Sequence, residues 1–81
     1  MEEKIAVIGI FVHDVESAHM VNEVLHKYSD KIIGRMGIPY SEKHISIISV
    51  IVRATADEIS ALSGTLGRIK DVSVKSMQTS V

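Results

Sequence analysis

The 81-residue chain predicts one α+β domain over residues 1–81, a ferredoxin-like βαββαβ sandwich. Its four-stranded antiparallel sheet is expected in the order 4-1-3-2, with both helices on one face. Three observations predict it. Short runs rich in Ile and Val alternate with segments whose apolar residues recur at helical spacing, in the order β-α-β-β-α-β. Only a short polar segment separates the second and third strands, which makes them a hairpin. Right-handed crossovers around that hairpin then leave one compact arrangement.

Lys4 to Val12 is short, apolar and branched, and so reads as a strand. Asp14 offers an N-cap oxygen, and Val15 to Tyr28 places Ala18, Val21, Leu25 and Tyr28 on one helical stripe. Ser29-Asp30 break that helix. Lys31 to Ile38 is the second strand, with Gly34 and Gly37 inside it. Pro39 has no N–H for a ladder, holds Ile38 extended, and is expected to stop further pairing. Tyr40-Ser41-Glu42-Lys43 forms the hairpin loop, and His44 to Arg53 the third strand. Thr55 and Glu58 match a capping box. The helix behind them carries Ile59, Leu62 and Leu66, and Gly67 is placed to end it. Val72 to Thr79 is a last, more polar strand.

A chain this short buries only about 60–65% of the surface its unfolded form exposes, so it is marginal alone. Cysteine is absent, which removes disulfides, iron–sulfur clusters and thiolate zinc sites as remedies. Oligomerisation remains. Nine Lys+Arg balance ten Asp+Glu without a basic stripe, so nucleic-acid binding by this chain alone is not expected. The start Met-Glu-Glu-Lys is unlike a signal peptide, and the apolar run Ile5–Val12 is far shorter than a membrane span. A cytoplasmic location is the expectation.

The central strands do not alternate apolar and polar residues as a one-sided sheet should. The first is apolar from Ile5 to Val12 except at Gly9. The third carries Ile45, Ile47 and Ile51 on one face and Ile48, Val50 and Val52 on the other. An apolar face turned away from the helices points to an interface. A homo-oligomer, dimer or tetramer, is expected, with sheets stacked face to face or extended edge to edge.

Two groups of residues are candidate sites. Alternation puts Arg35 and Gly37 on one face of an edge strand and Gly34 and Met36 on the other. One reading is a bent strand end kept from aggregating. The other is that Gly34 and Gly37 admit a neighbouring subunit, with Arg35 and Tyr40 meeting it or a small ligand held there. Topology also brings His13, Asp14, Glu42 and His44 to one end of the sheet. Their donors would suit nickel, zinc or ferrous iron, or they are simply solvated caps. His19 and His26 stand about 10.5 Å apart along one helix, too far to share a metal directly.

Enzyme readings find no support in motifs. There is no nucleophile elbow, no P-loop and no dinucleotide fingerprint. Acylphosphatases share the topology but hold an anion with an Arg in the first turn, and residues 12–15 contain none. RNA-recognition motifs stack bases on aromatics of the central strands, and the third strand has none. Nothing in the residues names a cofactor.

The stretches Ile-Ala-Val-Ile-Gly-Ile at 5–10, Val-Asn-Glu-Val-Leu-His-Lys-Tyr-Ser-Asp at 21–30 and Ile-Ile-Gly-Arg-Met-Gly-Ile-Pro-Tyr at 32–40 resemble one small family. So do Asp57–Arg68 and Val72–Ser76. It is the family of iron-only hydrogenase system regulators, similar to ACT domains and to the metal-sensing domain of nickel-responsive repressors. The resemblance implies an oligomeric regulatory or ligand-sensing module linked to hydrogenase, with any ligand between subunits. It leaves two alternatives, a structural protein docking on a hydrogenase-related partner and a metal-binding sensor. The first turn, Val12-His13-Asp14-Val15, lacks the Gly of amino-acid-binding ACT domains. The nickel repressors use a Cys among their ligands and a separate DNA-binding segment; this sequence holds no Cys, and no DNA-binding segment is expected within its 81 residues.

Overall fold

The opening Ile/Val run becomes β1 (Glu3–Val12), one of the two central strands of the sheet. β1 is antiparallel to β3 (Ile45–Thr55) on one side and to β4 (Val72–Ser80) on the other. β2 (Ile32–Tyr40) pairs with the remaining side of β3. The resulting order 2-3-1-4 is the expected 4-1-3-2 read from the other edge. α1 (Val15–Lys27) and α2 (Ala56–Gly67) complete the βαββαβ path. This computed structural model describes residues 2–80, for Ser41 the backbone alone.

Alternation decides the core. Ala6, Ile8, Ile10 and Val12 of β1 and Ile48, Val50, Val52 and Ala54 of β3 are buried on the helix face. They pack against Val21 and Leu25 of α1 and Ile59, Leu62 and Leu66 of α2. These are the helical positions that the apolar spacing picks out.

The capping box at α2 forms as the sequence predicts. Glu58 N–H donates to Thr55 Oγ1 at 3.2 Å, and Thr55 N–H donates to Glu58 Oε1 at 2.9 Å. Lys31 Nζ adds an ion pair to the other Glu58 oxygen at 3.3 Å. The Thr55 backbone bond, then Lys31, hold the Glu58 carboxyl below the ordinary carboxylate range, and Glu58 in turn raises Lys31. Thr55→Ala should therefore cost about 1 kcal/mol, read as a lower urea midpoint with an unchanged slope. The Glu58 contribution has a fixed sign with pH. It is present above the unfolded carboxylate range and is lost as acid brings pH down through the depressed folded value. The acid-side loss should accordingly shrink in Glu58→Gln.

Four details depart from expectation. Asp14 sits at the N-cap of α1, but its side chain makes no capping bond. Instead the buried Ser17 hydroxyl donates to the Lys70 carbonyl at 2.6 Å and ties the first turn of α1 to the α2–β4 loop. Gly67 ends α2 without turning left-handed, and the left-handed residue falls at Asp71 (φ 60°). Pro39 does not stop β2, which runs on to Tyr40, because the missing N–H is tolerated on an edge strand. Finally, Ile33 is an extra residue in the β2–β3 ladder, since Ile32 pairs with Val52 and Gly34 with Ile51. The bulge lets Ile32 pack on the core while Gly34 and Met36 turn to the opposite face.

Candidate functional site

A cleft of about 410 Å³ opens at the corner between α1 and the β2–β3 hairpin. Four segments build it. The β1–α1 junction contributes His13 and Asp14, α1 contributes His19 and Asn22, the end of β2 contributes Pro39 and Tyr40, and the start of β3 contributes His44 and Ser46. This volume is typical of small-molecule sites. Ser46 pairs with Val12 and Pro39, in the row where the apolar core of β3 gives out. His44 takes a left-handed backbone (φ 56°) where the hairpin re-enters the sheet. That conformation is uncommon for a residue with a side chain, though His adopts it more readily than most.

The structure brings His13, Asp14 and His44 to this cleft, as the topology predicts, and leaves Glu42 outside its lining. No three His, Cys, Asp or Glu groups converge closely enough to hold a metal among the described residues. His19 and Asn22 join the lining although nothing in the sequence singles them out with His44. Their only signal is a spacing of three on α1 that turns both off the apolar stripe.

Arg35 lies on the helix face of β2, opposite Val50, and Nη2 donates to Asn22 Oδ1. Arg carries no acceptor, so this bond fixes the Asn22 amide and leaves its NH₂ as a donor. Arg35 thus reaches the cleft wall from behind, within its own chain. Tyr40 belongs to two surfaces. It lines the cleft, and its register opposite Ile45 places it on the sheet face away from the helices.

That outer face is apolar at its centre. Val7, Phe11, Met36, Ile38, Ile51 and Met77 are all exposed, Met77 by 73% and Met36 by 60%. Gly34 also lies on it, whereas Gly37 lies on the helix side opposite Ile48. A Cβ at either glycine would meet nothing within 4 Å, and neither has a left-handed backbone. Within one chain, neither position needs glycine.

A cleft lined by polar side chains and an apolar sheet face are carried on a small ferredoxin-like α+β domain. The chain belongs to the TM1266-like family, described as "Iron-only hydrogenase system regulator, putative", whose model matches residues 4–76. It is similar to the uncharacterized protein TM1266 from Thermotoga maritima, at 36% identity and a TM-score of 0.92, covering 95% of this chain and 98% of that one. The C-terminal domain of the MgtC protein from Mycobacterium tuberculosis shares the fold, with a TM-score of 0.69 at 10% identity, covering 98% of this chain and 89% of that domain. The de novo designed protein Foldit4 shares it too, with a TM-score of 0.58 at 16% identity over 99% of both chains. No curated protein matches the sequence significantly. No helix among the described residues is long and apolar enough to cross a membrane.

Proposed function

We propose that this chain is a homo-oligomeric, ligand-sensing regulatory module of the iron-only hydrogenase system, and that it acts by binding rather than by catalysis. The observation that carries the reading is the cleft between α1 and the β2–β3 hairpin. It is of small-molecule size, and three imidazoles, a carboxylate, an amide, a phenol and one hydroxyl line it. Tyr40 links it to the exposed apolar face, so a ligand held against Tyr40 would bias how a neighbouring subunit packs there. Ligand and assembly are coupled in this way, and Arg35 acts through the Asn22 amide that it orients.

A second reading has its own support. The apolar outer face suits a structural protein that docks on a hydrogenase-related partner, with no ligand at all. Placement of His13 and His44 in one cleft keeps a metal ligand within the sensing reading, the remaining donors coming from a neighbouring subunit or solvent.

A thermal-shift screen separates these readings. Nickel, zinc, inorganic phosphate and small carboxylates would be added singly to the full chain. A ligand at 100 times its dissociation constant stabilises by about 2.7 kcal/mol. A domain of this size should then melt roughly 10 °C or more higher. At least one class is expected to do so, and Asn22→Ala should remove most of the shift. A flat screen across all classes would favour the docking protein.

A further inference from the structure

We propose that the outer sheet face seats a second copy of this chain, and that the copies touch most closely over a trough formed by Gly9 and Ser49. This rests on the oligomeric part of the function proposed above and names the surface responsible.

The register supplies the shape. On the outer face Val7 stands beside Ile51, Gly9 beside Ser49, and Phe11 beside Ile47. Two apolar ridges therefore flank one row of small residues, at the centre of the two central strands. Gly9 is unexplained by its own chain. Glycine in a strand interior weakens it and leaves a face unpacked. The backbone at Gly9 is not left-handed, and a Cβ there would meet only the Lys75 carbonyl at 3.9 Å, an ordinary contact. Val7, Phe11 and Ile51 are each at least 39% exposed beside it. Strand centres where a side chain would fit, yet none is present, mark close approach by another molecule.

Size and charge favour an identical copy as the occupant. Four strands spaced about 4.8 Å apart and some 30 Å long present on the order of 600 Å² per copy. Two copies then bury roughly 1,200 Å², the lower end of stable interfaces. None of the six central residues is charged. Lys75 lies at the β4 edge of the trough, and Arg53 is already paired with Glu3 at 2.9 Å. A two-fold axis set beside the trough seats an apolar ridge of each copy in the trough of the other, while Lys75 extends its charge toward the open edge of the sheet.

Sedimentation velocity on the full chain across a dilution series, with far-UV circular dichroism and amide NMR dispersion to report folding, tests this. The wild type should be dimeric or larger at micromolar concentration. Gly9→Val and Ser49→Val both introduce a good strand former, at Gly9 into space open in the single chain and at Ser49 on a half-buried position of the outer face. Each should stay folded and dissociate at least tenfold more readily. Gly37→Val fills open space on the helix side and should assemble like the wild type. Should Gly9→Val fail to fold, Ser49→Val carries the test. Assembly surviving Ser49→Val and any folded Gly9→Val would place the contact elsewhere, overturning this inference while leaving the oligomeric reading intact. A wild type that stays monomeric at 100-fold higher concentration, including one that binds only a different protein, would overturn both.

Discussion

Ile48→Asp is expected to leave the chain unfolded at 25 °C. Ile48 is only 6% exposed and lies between Ile10 and Gly37 on the helix face. Losing the buried apolar side chain alone costs about 2–5 kcal/mol. A carboxylate placed there without a cation adds several kcal/mol more, or must take up a proton. A small domain has a net stability of only about 5–15 kcal/mol, and this one belongs near the lower end by size. Far-UV circular dichroism should show a coil spectrum, and amide resonances should collapse to the unfolded range. A cooperative melt within a few degrees of wild type would mean that this face is not the core.

The neighbouring change should do the opposite. Ile47→Asp lies on the outer face, beside Phe11 and Ile38. In the single chain its carboxylate can reach water, so the fold should persist with its secondary structure intact. In the proposed dimer the same change desolvates a carboxylate on each copy within one apolar interface. Breaking such contacts costs at least 2–3 kcal/mol, which is on the order of 100-fold in dissociation constant. Sedimentation should therefore show a folded monomer at concentrations where the wild type is assembled. A variant that assembles normally would remove the outer face from the interface. One that unfolds would show Ile47 to be part of the core.

The contrast between adjacent residues shows how far local patterning reaches. Ile45, Ile47 and Ile51 against Ile48, Val50 and Val52 can be read directly, because a strand turns alternate side chains to opposite faces. Thr55 and Glu58 are legible for a similar reason, since a capping box closes within four residues. The cleft was half legible. His13 and His44 fall at strand ends that the topology brings together, but His19 and Asn22 on α1 carry no mark that they face the hairpin. Arg35 was visible as an unusual cation between glycines. Its partner Asn22, thirteen residues earlier, was not.

By itself the sequence determined the order of elements, the sheet topology, the α2 cap and the two-sided apolar character of β1 and β3. Each follows from residue spacing within one element, or from connections that allow few alternatives. Tertiary structure alone decided the bulge at Ile33, because only the ladder to Val52 and Ile51 makes that residue extra. It alone decided that Ser17, not Asp14, anchors the start of α1, through a carbonyl 53 residues away. It alone showed that Gly9, Gly34 and Gly37 answer no steric need within the chain. Such facts depend on distances between elements remote in sequence. Those distances are set by how the strands pair and how the helices settle on the sheet, and no periodicity along the chain records them.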